Sequence, residues 1–317
     1  AADAAAPVWA RVSEHLDGYA AAFVEQHRAA CEATTVRGEQ SATVLDLRMA
    51  CLHRARAELA ASVGLLGSVD ERTVMRAVEL VERLPDLERC ADVDALLAEA
   101  PPPEDPGERA AVEDARDRLA HARSLHRLGR YDEALEAVRL VADEAERLDH
   151  APLSAELAAL EGLALEALGR FEHAEQVLRR GALVAIEAGA TSVAVQAVGT
   201  WAFVLVERLG RDEEGRLVAE LGLGLARRTG QPALEAMALG RLASVLQATG
   251  DLAQAEAGYR EALAILEGGR GYDELEVATL LNDLGGLLHE RGRGDEALAA
   301  HERALDIRER LLGQTHP

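Results

Sequence analysis

Apolar residues recur along this chain at intervals of three and four. Leu242, Val245 and Leu246 form one such stripe, and Leu284, Leu287 and Leu288 form another. Near the start, Trp9, Val12, Leu16, Tyr19 and Phe23 fall on one side of a longer stretch. This is the period of helices with one buried face, not the alternation of strands. Four helices are expected in the first hundred residues. They run from about Val8 to Ala33, from a Ser41 cap to about Val63, from Asp70 to the stop imposed by Pro85, and from Asp92 to Glu99. The run Pro101-Pro-Pro-Glu-Asp-Pro106-Gly107 then reads as a linker.

Beyond the linker the helical pattern repeats. A phrase recurs in which Gly closes one helix and a small residue follows five places on. The copies are Gly129-Arg-Tyr-Asp-Glu-Ala134, Gly169-Arg-Phe-Glu-His-Ala174, Gly210-Arg-Asp-Glu-Glu-Gly215, Gly250-Asp-Leu-Ala-Gln-Ala255 and Gly292-Arg-Gly-Asp-Glu-Ala297. Their glycines are 40, 41, 40 and 42 residues apart. Gly supplies the left-handed conformation that ends a helix, and the acid after it suits the positive start of the next. Twelve residues before the small residue stands another usually small one, at Ala122, Gly162, Ala243 and Gly285. The third copy departs, with Phe203 at that place and Gly215 opposite, which reads as a large residue swapped against a glycine.

Each unit is therefore a helical hairpin that buries its apolar face on its neighbour. The phrases resemble the tetratricopeptide repeat, with a longer period than the usual ~34 residues. The last copy is the best match: Val277 to Gly285, Gly292 to Ala297, then Arg303-Ala-Leu-Asp-Ile-Arg-Glu-Arg-Leu-Leu-Gly313-Gln-Thr-His316-Pro317. It is similar to the long repeat of kinesin light chains, in which such an ending leads into a further repeat. The expected fold is all-α, a right-handed superhelical solenoid of stacked antiparallel hairpins. Residues 1–100 form a helical N-terminal cap, 101–107 the linker, and 108–317 about five repeats.

Composition supports helices and narrows function. The chain has 317 residues, 49% hydrophobic and 3% aromatic, with a formal net charge of -22 and no lysine. A thin Ala/Leu core suits close helix pairs. The acidic balance opposes binding to nucleic acid or anionic membrane, and no apolar run is long enough to span a bilayer. The opening Ala1-Ala-Asp-Ala-Ala-Ala reads as a piece of something longer.

The first hundred residues carry a second resemblance. Trp9 and Tyr19, the block Cys31-Glu-Ala-Thr with Arg37-Gly-Glu-Gln-Ser41, Leu45-Asp-Leu-Arg48-Met-Ala-Cys51-Leu, and Leu84-Pro with Cys90-Ala-Asp92 look like the region after the catalytic domain in large myxobacterial serine/threonine protein kinases. In that family tetratricopeptide repeats follow a kinase domain and usually a membrane helix. The resemblance implies a sensor or scaffold segment on the extracytoplasmic side of a bacterial inner membrane, with the cytoplasm as the alternative. Kinase chemistry itself has no place here, because the phosphate-pairing lysine and the His-Arg-Asp and Asp-Phe-Gly motifs are absent.

Other chemical signals are weak. Leu221-Gly-Leu-Gly224 is half of a dinucleotide fingerprint and reads as helix packing. Arg293-Gly-Asp295 matches an adhesion tripeptide but sits in the repeat turn, and His289 with His301 reads as packing rather than a metal pair. No catalytic residue, metal site or cofactor is expected. For the thiols Cys31, Cys51 and Cys90, a Cys31–Cys51 bridge would need to overcome an offset of ~12 Å along the first hairpin, against the ~7 Å a disulfide spans. Free or differently paired thiols are expected.

In the tetratricopeptide class, the first helix of each hairpin lines a concave groove. Counting from the small residue, the first repeat presents Arg116, Arg123, His126 and Arg127, and the second presents Glu156 and Glu166. The third presents Trp201, Glu207 and Arg208, and the fourth Met237, Arg241, Ser244 and Gln247. The last presents Thr279, Asn282, Asp283, His289 and Glu290. The three arginines of the first repeat are placed to read an acidic segment. Asn282, whose amide both donates and accepts, suits a peptide backbone or simply meets solvent. The expected activity is non-catalytic binding of a protein or peptide. Self-association through the C-terminal end and small-ligand sensing in the groove are the alternatives.

Overall fold

A computed structural model describes residues 2–70, 73–268 and 273–313, with the side chains of the first six residues and of Met75 left aside. The described residues contain α-helices and no strands. Residues through Leu153 pack as one compact unit, and the described residues from Ser154 on pack as a second. His316 and Pro317, part of the last repeat phrase, lie outside the described residues.

In the first unit, α1 (Ala2–Thr35) and α2 (Ala42–Leu66) form a hairpin. Ser41 caps α2 as expected, its Oγ accepting from Val44 N at 3.2 Å. The buried side of α1 uses Val8 and Val12, at 4% and 2% exposure, with Tyr19 and Phe23 half-buried. Trp9, expected on that face, is exposed at 37%. The third expected helix is much shorter than its apolar spacing implied. A 3₁₀ turn at Val74–Arg76 leads into α3 (Ala77–Glu82), and a second turn covers Leu87–Cys90 before α4 (Val93–Leu97). Asp92 caps α4 through Ala95 N at 3.0 Å. The first repeat hairpin is α5 (Pro106–Arg127) with α6 (Tyr131–Leu148). The end of the Pro-rich run starts α5 rather than preceding it. Asp105 accepts from Glu108 N at 2.8 Å, and Pro106 follows where its missing N–H costs nothing.

The second unit holds four hairpins. They are α7 (Ala151–Ala167) with α8 (Phe171–Glu187), α9 (Thr191–Phe203) with α10 (Asp212–Thr229), α11 (Pro232–Ala248) with α12 (Leu252–Gly268), and α13 (Glu274–Glu290) with α14 (Gly294–Leu312). The first helices α9, α11 and α13 lie side by side. The second helices α8, α10 and α12 each also pack on the first helix of the following hairpin. The core is Ala and Leu with one large side chain at its centre, Tyr259, at 1% exposure.

The repeat phrase acts as expected. Gly129, Gly169, Gly210, Gly250 and Gly292 all have positive φ, from 64° to 87°. The small pairs are buried and let the helices close. A Cβ on Gly162 would lie 2.4 Å from Leu178, and one on Gly285 would lie 2.7 Å from the His301 ring.

The third repeat corrects the expectation of a Phe203–Gly215 swap. A π-helical turn, Val204–Arg208, continues α9 and holds one residue more than an α-turn. The hydrogen bonds record the extra residue. After the repeat glycine, Arg130, Arg170, Asp251 and Arg293 donate to a carbonyl five residues back, whereas Arg211 donates to Leu205, six back. Gly215 thus faces Ala202 and Val206, so that a Cβ on it would meet Val206 Cγ2 at 2.4 Å and the Ala202 carbonyl at 3.1 Å. The small residue sits one place earlier, and Phe203 turns elsewhere.

Candidate partner-binding face

On α5, the chain's own α2 already occupies the expected arginine surface. Arg127 Nη1 donates to Glu58 Oε2 at 2.9 Å, and Arg123 Nη1 donates to Glu58 Oε1. Glu58 is 3% exposed. Burial outweighs that carboxylate and holds the Arg127 guanidinium below its ordinary pKa. Two further contacts lock the pair of helices: Ser62 Oγ lies 3.3 Å from Ser124 Oγ, and His53 Nε2 lies 3.3 Å from Asp117 Oδ1. Arg116 Nη1 lies 3.6 Å from Glu113, and the His126 ring packs 5.1 Å from that of Tyr131. The acidic segment that meets Arg123 and Arg127 is therefore internal, because a guanidinium pair next to an apolar helix face is best matched by a carboxylate that the same packing buries.

In the second unit, residues on the first helices divide into two groups. One group bridges hairpins. Arg208 Nε donates to Glu166 Oε1 at 3.0 Å, with its guanidinium carbon 5.0 Å from the Phe203 ring centre and 5.5 Å from that of Phe171. Gln247 Nε2 donates to Glu290 Oε2 at 3.3 Å and accepts from the Tyr259 hydroxyl at 3.3 Å. Thr279 turns back to its own helix, donating to Leu275 O at 2.9 Å. Trp201 packs half-buried on the core beside Ala197, Val198 and Val245 rather than lying open, because the π-turn places it one step nearer the core. Its Nε1 is buried without an acceptor. Glu156 is half-buried on α7, and Glu207 and His289 are exposed.

The other group lies on α11 and α13. Met237 is half-buried against the core, and Arg241 and Asn282 are exposed. Arg241 lies across α9 of the preceding hairpin, where a Cβ on Gly199 would meet its Cγ at 3.1 Å. Asp283 is half-buried, and burial raises its pKa against the opposing pull of Asn282, Arg241 and Arg308. Burial, and then Asp283, push up the pKa of the Tyr259 hydroxyl, and Ser244 pulls it the other way. The result is a polar, mixed-charge surface over an apolar floor, able to grip backbone amides and pair with charged side chains. Spacing in the first helix does not show Tyr259, which reaches this face from α12. The same holds for Phe171 of α8 beneath Arg208, whereas Phe203 beside it was marked by its breach of the small-residue rule.

No three His, Cys, Asp or Glu residues converge among the described residues. His301 lies on Gly285, while His289 points to solvent. Gly222 of α10 packs on Val198 of α9 while Gly224 has open space around it, so only one glycine of the pair serves helix packing, and the Arg293–Asp295 turn is tied down by Arg293 to Glu256 at 2.7 Å. No helix of the described residues is long and apolar enough to cross a membrane.

This architecture is a helical repeat of the tetratricopeptide type. Residues 234–317 match the family model of the tetratricopeptide repeat. Solved structures share the fold at low identity. A Rap protein complexed with competence and sporulation factor is 13% identical, covering 96% of this chain and 77% of that one, with a TM-score of 0.57. The apo form of RapI is 12% identical, over 96% and 98% of the two chains, with a TM-score of 0.56. BtubC from P. vanneervenii is 18% identical, over 67% and 91%, with a TM-score of 0.52. No curated protein matches this chain.

Proposed function

We propose that the chain is a non-catalytic scaffold that binds a protein or peptide on the α11–α13 face around Met237, Arg241, Ser244, Asn282 and Asp283. The observation that carries this reading is exposed Arg241 and Asn282 beside the half-buried Asp283 carboxylate, while Arg208 with Glu166 and Gln247 with Glu290 bridge hairpins. The Rap neighbour bound to competence and sporulation factor supports it only through the shared fold. The N-terminal resemblance supplies the setting, the regulatory region of a serine/threonine protein kinase. A random peptide library displayed on phage and panned on the folded chain tests the face. The expected result is enriched clones that lose binding at least tenfold to Arg241→Ala/Asn282→Ala and keep it with Arg147→Ala. Clones indifferent to the double substitution would sink the reading, and a metabolite held in native mass spectra would favour small-ligand sensing instead.

A second reading, self-association, rests on α14. Leu223 and Leu263, eight residues after the small residue in their hairpins, are 8% and 7% exposed. Their counterpart Leu305 is 56% exposed, and Leu298 on the same helix is 59% exposed. Sedimentation across concentrations, repeated with Leu298→Glu/Leu305→Glu, separates this reading from the first.

A further inference from the structure

Between α2 and α5 the chain runs through a stretch that cannot hold its own shape. From Thr73 to Ala98 it contains only two 3₁₀ turns, the six-residue α3 and the five-residue α4. Helices this short do not persist in water without outside support. Its α3 part is packed into the core by Ala77, Val78, Leu80 and Val81, at 0–3% exposure, and side-chain ties hold the rest of this strap. The Tyr19 hydroxyl donates to Pro85 O at 2.9 Å, and His15 Nε2 lies 2.7 Å from Glu82 Oε1. At its start Arg76 Nη1 donates to the Tyr131 hydroxyl at 3.4 Å, and at its far end two ties converge on Cys90. Arg48 Nε donates to its carbonyl at 3.1 Å, and its sulfur is bonded to Cys51 of α2, with the Cα atoms 5.5 Å apart. Arg48 is itself buried and anchored by Gln40 Oε1 at 3.0 Å. Under the strap lie Ala30, Leu52 and Ala55 of α1 and α2, with Leu87 of the strap pressed onto them.

We infer that the Cys51–Cys90 bond is a redox latch on this strap: oxidised, it closes the strap over the α1–α2 apolar face, and reduced, it lets the strap lift and uncover that face. Closing removes two protons and two electrons from the two thiols. A disulfide-class oxidant such as glutathione disulfide accepts them and becomes two thiols. Opening proceeds by thiolate attack on Cys51, the half-buried partner, because Cys90 is 2% exposed. Cys90 leaves as a thiolate and takes up a proton, and a second external thiol then displaces the mixed disulfide. Cys31 is the free thiol and takes no part. Disulfides persist in oxidising compartments and are lost in reducing ones, so the latch reports which of the two surrounds the chain.

The test uses the whole chain, oxidised with glutathione disulfide or reduced with dithiothreitol and alkylated. Intact mass before alkylation is expected to be about 2 Da lower in the oxidised form, the mass of the two hydrogens removed. Trypsin cleavage after the exposed Arg83 and Arg89 should rise at least tenfold on reduction, and binding of an apolar dye should rise with it, while far-UV circular dichroism stays nearly constant. Cys90→Ser should behave as the reduced form in either buffer, and Cys31→Ser as the parent. Three free thiols after oxidation would overturn the inference. So would unchanged cleavage on reduction, and so would a collapse of the whole helical signal, since the bond would then hold the unit together rather than latch one segment of it.

Discussion

The two units each bury a glutamate that gathers arginines, and they do so in different ways. In the first unit Glu58 is reached by Arg123 and Arg127, and the Arg127 side chain is only 18% exposed. In the second, Glu256 of α12 is reached by Arg293 at 2.7 Å, Arg260 at 2.9 Å and Arg291, whose side chains are a third to a half exposed. The Glu58 cluster occurs once and joins α2 to α5. The Glu256 cluster is one step of a ladder. The residue after the small one in a second helix pairs with the residue after the glycine of the next hairpin, as in Glu175–Arg211 at 3.7 Å and Glu256–Arg293. The comparison teaches that repetition spreads charge pairing along the edge of the stack, near water, whereas an unrepeated contact can drive it inward, where losing one partner costs more.

Glu58→Ala sharpens this most. It strands a buried guanidinium and is expected to destabilise the first unit by about 3 kcal/mol, whereas Glu256→Ala returns its arginines to water and costs about 1–2 kcal/mol. Hydrogen exchange of the α5 and α12 amides in rising urea reads each unit separately, and equal losses would break the comparison. Close helix approach comes next. Gly215→Ala drives a methyl into Val206 and the Ala202 carbonyl and is expected to cost about 1–2 kcal/mol. Gly224→Ala, on the same helix with open space around it, should gain about 0.5–1 kcal/mol. Thermal unfolding of the two variants settles the pair. The smallest effect is electrostatic. Because burial raises the Asp283 pKa, its stabilising contribution is full below the ordinary aspartate range and is lost as pH climbs through the raised value. Asp283→Asn should therefore raise the melting temperature slightly at neutral pH and lose that advantage near about pH 3.

What the sequence revealed was local. Gly169 and Gly250 announced helix ends because only glycine takes their φ cheaply, and Ser41 and Asp92 announced starts because a short acceptor can satisfy free amides there, whereas the cap at Asp105 was hidden inside the Pro-rich run. The 41-residue interval before Gly210 held the trace of the π-turn, but spacing alone did not say where the extra residue lay, so Phe203 and Trp201 were assigned to the wrong neighbours. The candidate face was half legible. Arg241, Asn282 and Asp283 follow from helical register, whereas the closing of the Arg123–Arg127 surface depends on α2, which carries no repeat phrase. The Cys51–Cys90 pairing was hidden for the same reason, since it joins a long helix to a short turn that no periodicity positions.

One rung of the ladder runs backwards. Between Glu175–Arg211 and Glu256–Arg293, the pair is Arg216 with Asp251 at 3.9 Å, cation and anion exchanged. A hairpin that skipped its proper neighbour while the chain was folding would set Glu175 against Asp251, or Arg216 against Arg293. Each such clash is worth less than about 1 kcal/mol at the surface, yet it falls on the misassembly to which near-identical modules are most prone. The reversed rung thus gives otherwise interchangeable modules an order, so that the array assembles in one sequence and resists being shuffled.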